Sequence, residues 1–118
     1  MTNAHAPSAI PKPFDPLLIA GTIGAPYDNR RLAMINDHEI RMSVMTEAFP
    51  WHRHPDSDET FAVLDGELVI EFEEGPVILR AGQWLTVPRG VRHRTHPNGA
   101  RSVNLTFERA GAATIFDA

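Results

Sequence analysis

Apolar and polar side chains alternate along most of the chain between residues 31 and 108, in short stretches. In residues 67–73, Leu68, Ile70 and Phe72 are apolar, whereas positions 67, 71 and 73 are glutamate. Successive side chains of a β-strand point to opposite faces, so this pattern predicts an antiparallel strand with one buried and one wet face. Similar alternation in residues 39–49, 59–64 and 101–108 predicts further strands of the same kind.

Turn-forming residues separate these stretches. Asp65-Gly66 is a strong hairpin signal, and Gly, Pro, Asn and Asp cluster again near residues 36, 75, 82, 89 and 98. The chain is therefore predicted to form eight or nine short strands with no long helix, which indicates an all-β sandwich or barrel. Residues 25–29 are interpreted as a turn, and a strand is predicted over residues 31–36.

The chain divides into three segments by composition. Residues 1–26 form an N-terminal arm, partly irregular and rich in proline, which is either disordered or packed across a partner subunit. Within it, residues 14–24 are apolar enough for a short helix or a strand, and the pattern does not decide between them. Residues 27–109 form the predicted barrel, and residues 110–118 form a C-terminal tail that adds to an edge or an interface.

Length and composition narrow the range of functions. A chain of 118 residues suits one domain, and the absence of cysteine excludes disulfides and thiolate ligands. The net charge of −4 argues against a nucleic-acid partner. We find no signal peptide pattern and no apolar run long enough for a membrane span, so a cytoplasmic protein without a membrane partner is expected.

A group of histidines and one glutamate predicts a metal site. His52 and His54 are two residues apart, so both can face one ion from one strand. Glu59 follows a turn at residues 55–58, and His93 would come from a distant strand as the fourth ligand. Imidazole and carboxylate suit a first-row divalent ion, namely Fe, Mn, Ni, Cu or Zn.

The spacing of these residues resembles the two motifs of the cupin family. His52, His54, Glu59 and Gly66 match H-x-H-x4-E-x6-G, while residues 82–93 match G-x5-P-x-G-x2-H and end at His93. The resemblance is detailed over about residues 40–107, and it implies a double-stranded β-helix, also called a jelly-roll barrel, around a His3Glu metal centre. Small cupins described as mannose-6-phosphate isomerase-like are similar in size. The first motif has Thr46, and the second Pro97, where the family has Gly and Asn.

Several other side chains are candidates for the site. Met45, Phe61 and Trp84 are predicted either to line a substrate pocket or to pack in the core. Four arginines near His93 are interpreted as a solvated rim paired with the acidic run at residues 71–74, or alternatively as binders of an anionic substrate: Arg89, Arg92, Arg94 and Arg101. No further general base is evident from the sequence.

Two classes of function are compatible with these features. The first is a metal-dependent enzyme of the isomerase, lyase or dioxygenase type that acts on a small molecule, and the second is a non-catalytic module that binds or senses a small ligand. Both faces of the strand at residues 59–64 are apolar: Ala62 and Leu64 on one side, Phe61 and Val63 on the other. A small barrel cannot bury both faces alone, so a homodimer is expected.

Overall fold

The computed structural model of the chain describes residues 10–116 as two five-stranded antiparallel sheets with one short helix. The helix α1 spans Pro16–Ala20. The strands are β1 Tyr27–Ile35, β2 His38–Met45, β3 Phe49–Arg53, β4 Glu59–Asp65, β5 Glu67–Phe72, β6 Gly75–Arg80, β7 Trp84–Val87, β8 His93–Pro97, β9 Ser102–Arg109 and β10 Ile115–Phe116. The expectation of an all-β chain with almost no helix is confirmed.

The two sheets face each other across the core. The first has the strand order β1-β2-β9-β4-β7, and the second has the order β10-β3-β8-β5-β6. From β2 to β9 the chain passes repeatedly between the sheets, as in a double-stranded β-helix. Between the sheets, Phe61 and Val63 of β4 pack with Leu68 and Ile70 of β5, and all four side chains are buried. The end of the barrel beyond this packed region remains open.

Helix α1 settles the alternative left open for residues 14–24. The Asp15 carboxylate caps the helix by accepting hydrogen bonds from the backbone N–H groups of Leu17 and Leu18, at 3.0 and 3.2 Å. Pro16 occupies the first turn, where its missing N–H costs no helical hydrogen bond. The helix buries Ala20 in an apolar cluster on the outer face of the first sheet.

That outer cluster explains how the first sheet buries both of its faces. Met42 and Val44 of β2 and Val103 of β9 pack there against Ala20, with Leu64 of β4 at the border. The described part of the arm therefore covers an apolar face of its own barrel. The predicted contact of the arm with a partner subunit stays a prediction, and residues 1–9 lie outside the described residues.

The first strand begins earlier than the sequence indicates. Residues 25–29 were expected to form a turn, but Tyr27 already pairs with Met45 and Asp28 pairs with Val44. Turn-forming residue types at this point are outweighed by the ladder along the full length of β2. The earlier start places Tyr27 and Asn29 at the open end of the barrel. Within residues 10–116, no helix is long and apolar enough to cross a bilayer.

Candidate metal centre

Folding brings the four predicted ligands together inside the barrel. His52, His54, Glu59 and His93 are all buried, and each offers one ligand atom such that these atoms lie within 4.8 Å of one another. His52 lies in β3 and His54 just beyond its end, while Glu59 begins β4 and His93 begins β8. His52 and His93 are directly paired across β3 and β8. Three segments that are distant in sequence thus converge on one point.

Backbone carbonyl groups fix the orientation of all three imidazoles. Nδ1 of His52 lies 2.8 Å from the carbonyl oxygen of Pro50, and Nδ1 of His93 lies 2.9 Å from that of Val91. Nδ1 of His54 lies 3.0 Å from the carbonyl oxygen of residue 113, near the C-terminus. A carbonyl accepts only from a protonated nitrogen, so Nδ1–H donates in each ring and Nε2 is directed to the centre. Histidines that bind a metal usually donate their other ring N–H to such an acceptor, which fixes the orientation of the ring.

The donor atoms at the centre fit a cation. Oε1 of Glu59 lies 3.2 Å from Nε2 of His54 and 3.2 Å from Nε2 of His93. Nε2 of His54 is buried and makes no hydrogen bond of acceptable geometry, although Oε1 of Glu59 lies close to it. Buried polar atoms nearly always have a partner. A divalent ion held by His52, His54, Glu59 and His93 would supply that partner and satisfy the carboxylate as well.

The electrostatics of the metal-free cluster point the same way. Burial lowers the pKa of His52 to about 4, so this imidazole is neutral at pH 7 and ready to coordinate. Burial also disfavours the charged form of His54, but the contact with Glu59 outweighs it and raises the pKa of His54 to about 9. Burial opposes ionisation of Glu59, yet His54 and His93 hold its pKa well below the ordinary value. A bound cation would therefore replace the proton of His54.

A cavity of about 440 Å³ opens above the cluster. Phe49 and Phe61 form apolar parts of its wall. Its other walls are unexpectedly polar, because the inward faces of β1, β2 and β9 carry hydrophilic side chains there. These are Tyr27, Asn29, Glu39, Arg41, Ser43, Thr106 and Glu108. Such a space suits a small molecule with polar groups.

Glu108 is an acidic cavity residue beside the predicted ligands, and it was not predicted from the sequence. Glu108 is 9% exposed, and its carboxyl group lies beside that of Glu59. Burial, together with the nearby Glu59, raises the pKa of Glu108 to about 8. The available signal was the polar series Ser102, Asn104 and Thr106 on the same face of β9. The alternation of residues 101–108 does not by itself show which face of that strand lies inside the barrel.

The three predicted pocket residues have different locations. Phe61 lines the cavity, whereas Met45 is buried in the core cluster next to it. Trp84 corrects the prediction: it is 64% exposed and stacks on Phe107, with 5.4 Å between ring centroids. Trp84 pairs with Ala62, which faces outward from β4, so the indole is directed away from the cavity.

The arginines near His93 are ion-paired or hydrogen-bonded away from the cavity. Arg94 contacts Glu71 at 2.8 Å and Arg92 contacts Glu73 at 3.7 Å, and both stack on the ring of Trp51. This agrees with the predicted pairing to the acidic run. Arg89 lies 3.7 Å from an Asp58 oxygen, and Arg101 donates to the carbonyl oxygen of Ala20 at 2.6 Å. The arginine that does line the cavity is Arg41, which was not among the four selected from the sequence.

Comparisons with known proteins agree with this geometry. An uncharacterized protein, YdbB of Bacillus subtilis, is 41% identical over 100 residues, which cover 84% of this chain and 88% of YdbB. A cupin-2 domain protein of Shewanella frigidimarina shares 26% identity at a TM-score of 0.76, covering 81% of this chain and 93% of the other. The DMSP lyase DddQ of Ruegeria pomeroyi shares the fold at 21% identity and a TM-score of 0.67, with 80% of this chain and 55% of DddQ covered. The model of the cupin domain matches residues 38–107, so the chain belongs to the cupin family.

Proposed function

We propose that this cupin is a metal-dependent enzyme that acts on a small organic molecule bound in the cavity. One observation carries the proposal: four buried donors converge on one point beside an open space of about 440 Å³. A purely structural ion would be enclosed on all sides by protein ligands. Here His52, His54, Glu59 and His93 leave room for further ligands from the cavity side.

The chain's own residues define what such a site can do. A divalent ion, when bound, supplies Lewis acidity and positions for water or substrate oxygen. Phe49 and Phe61 exclude water from one side of the bound molecule, while polar groups of β1 and β2 orient it. The carboxyl group of Glu108 lies in the cavity wall beside Glu59, where it is placed for proton transfer with a bound substrate. This favours isomerase or lyase chemistry, with dioxygenase chemistry as the alternative.

The first experiment measures metal content. Alanine substitution of His52, His54, Glu59 or His93 should lower the amount of metal bound per chain, because each removes one of four donors. The matched control is His96→Ala, since His96 contacts Glu71 on the second sheet and is not part of the cluster. Unchanged metal content in the four cluster variants would contradict the site.

The second experiment addresses the reaction. The metal-free protein is reconstituted separately with Fe²⁺, Mn²⁺, Ni²⁺, Cu²⁺ and Zn²⁺, and oxygen uptake and proton exchange with deuterated water are followed across small acids and sugars. Proton exchange without oxygen uptake is expected for the favoured chemistry. If a ligand binds saturably but none of the five metals supports turnover, the result would instead support a binding or sensing module.

A further inference from the structure

One wall of the cavity next to the predicted ligands is strongly polar. It is formed by the inward faces of β1 and β2, and Arg41 is its only cationic side chain among the described lining residues. The Arg41 side chain is 30% exposed, in contrast to the Glu39 side chain beneath it, at 7%. A guanidinium exposed in a cavity is available to a bound anion.

The charges around Arg41 do not cancel. Glu39 is the carboxylate paired with Arg41, at 3.0 Å, but the same oxygen of Glu39 also accepts from Arg31 at 2.9 Å. Two guanidinium groups thus share one carboxylate, and one positive charge remains. On the other side of the cavity, a divalent ion would balance Glu59 and Glu108 completely, even if Glu108 were ionised. The loaded cavity therefore has at least one positive charge in excess, which favours an anion.

The guanidinium group of Arg41 is also held in place. Its Nε donates to the side-chain oxygen of Asn29 in a short hydrogen bond, and Nη2 donates to the Asn29 carbonyl oxygen at 3.2 Å. Asn29 is itself oriented by a bond from its amide to Ser43 at 2.7 Å. With the bond from Nη1 to Glu39, three of the five N–H groups are used. One N–H on each terminal nitrogen is left for a further acceptor such as a carboxylate.

We propose that Arg41 is the specificity-determining residue for a carboxylate, and that the cavity takes a small organic acid whose carboxylate binds Arg41. The oxygen at the other end of the acid faces the His52–Glu59 side of the cavity; this half of the inference rests on the proposed function. The carboxyl groups of Glu39 and Glu108 also line the cavity, and they oppose a phosphate dianion more than a carboxylate monoanion. The fixed guanidinium binds it without the entropic cost of ordering a mobile side chain.

The test uses the full chain loaded with Zn²⁺, which is diamagnetic, and follows binding by NMR. The probes are 4-hydroxybutyrate, its neutral analogue 4-hydroxybutyramide, and 2-hydroxyethyl phosphate. The N–H signal of the Arg41 Nε reports directly on the guanidinium. We expect the acid to bind and to shift this signal, and we expect both the amide and the phosphate ester to bind more weakly than the acid.

Three variants separate recognition from folding. Arg41→Gln should weaken binding of the acid by about tenfold or more, because a charge-assisted hydrogen-bonded pair is lost. Arg41→Lys keeps the charge and the fold but not the planar fork, so an intermediate loss is expected. The matched control is Arg31→Gln, which removes the other partner of Glu39 without altering a cavity side chain. Its affinity for the acid should fall less than that of Arg41→Gln, because Arg31 contributes only its charge and no hydrogen bond to the acid.

Each result has a clear meaning. Equal affinity of wild type and Arg41→Gln for the acid would overturn the inference, as would tighter binding of the phosphate ester or no binding of the acid up to its solubility limit. These outcomes leave the metal site intact when zinc content is normal. Loss of zinc from the wild-type chain, in contrast, would overturn the proposed function, and acid binding to the zinc-free chain would then still support the role of Arg41.

Discussion

At the scale of the residue, Gly66 is the position where the backbone leaves least room for a side chain. It lies between β4 and β5 with φ of +73°, and a Cβ built on it would lie 2.2 Å from the carbonyl oxygen of Arg101. Such a contact forces the backbone of one or both segments to move. Gly66 is therefore required for the approach of this turn to the segment that leads into β9.

Gly66→Ala should lower the free energy of unfolding by more than about 2 kcal/mol. The positive φ alone costs about 1–2 kcal/mol for a residue with a Cβ, and the clash with Arg101 adds to it. Urea unfolding measures the change. The matched control is Gly82→Ala, which has a φ of +89° but no atom within 4 Å of the added Cβ. A loss in Gly66→Ala no larger than in Gly82→Ala would show that the close approach is unimportant.

The metal ligands were predictable residue by residue, while other cavity residues were not. His52, His54, Glu59 and His93 have chemistry and spacing that are rare by chance, and the structure brings them together. Arg41 carries no such spacing. It belongs to the alternation of β2, where the sequence shows two faces but not which one is internal. That choice depends on which apolar face helix α1 covers, and this is a tertiary contact between segments far apart in sequence.

At the scale of the element, the C-terminal segment contributes to the metal centre. The carbonyl oxygen of Ala113 contacts Nδ1 of His54, and the N–H of Ala113 donates to the carboxylate of Asp56 at 3.0 Å. Strand β10 then pairs with β3, and Phe116 lies 6.0 Å from the ring of His52. The tail at residues 110–118 was expected to add to an edge or an interface. Its described part does so, and it also orients a predicted ligand.

Ending the chain after Arg109 should weaken zinc binding by about tenfold or more. The truncation removes the acceptor that fixes the His54 tautomer, and loss of such a partner typically costs 10–100-fold in metal affinity. Competition with a chromophoric chelator measures the affinity. Asp56→Ala loosens the same segment without deleting it and should show a smaller loss. A chain ending at Phe116 serves as the control, and equal affinity of all these chains would contradict a role for the segment.

The boundaries of helices and strands were predictable where neighbouring residues determine them and were not predictable where long-range contacts determine them. The turns after β4 and β5 were predicted because glycine and its neighbours determine them locally, although the second, predicted at residues 74–76, lies at residues 73–74. The start of β1 at Tyr27 was missed, since its ladder with β2 is a long-range pairing. The short helix α1 was left undecided for a related reason. Its Asp15 cap is a local signal, but its apolar face is explained only by the sheet that it covers.

At the scale of the whole molecule, exposed apolar side chains support the predicted homodimer. Helix α1 covers apolar side chains on the outer face of the first sheet, so Leu64 of β4 does not need a partner subunit to be partly buried. Large apolar side chains still remain exposed on several described elements, including Leu18, Ile78, Trp84 and Phe116. Sedimentation velocity at micromolar concentration should give a dimer. A single species with the mass of one chain, 13.1 kDa, would contradict the prediction.

The position of the metal centre in the sheets gives the last prediction. Glu59 belongs to the first sheet, while His52 and His93 belong to the second and His54 directly follows one of its strands. A bound ion would therefore join the two layers of the barrel. In its absence, the layers are held at this end by the packing of the core and by contacts among the ligand side chains themselves.

Binding of Zn²⁺ should therefore stabilise the whole fold. At a free concentration one hundred times Kd, the free energy of unfolding should rise by about 2.7 kcal/mol, provided that the unfolded chain binds weakly. Urea unfolding with and without zinc measures the change. The unfolding midpoint should rise by the same amount for spectroscopic signals from either sheet, because one ion links the two sheets. His93→Ala should abolish most of the gain, whereas His96→Ala should retain it. Equal stabilisation of both variants would mean that zinc acts elsewhere than between the sheets.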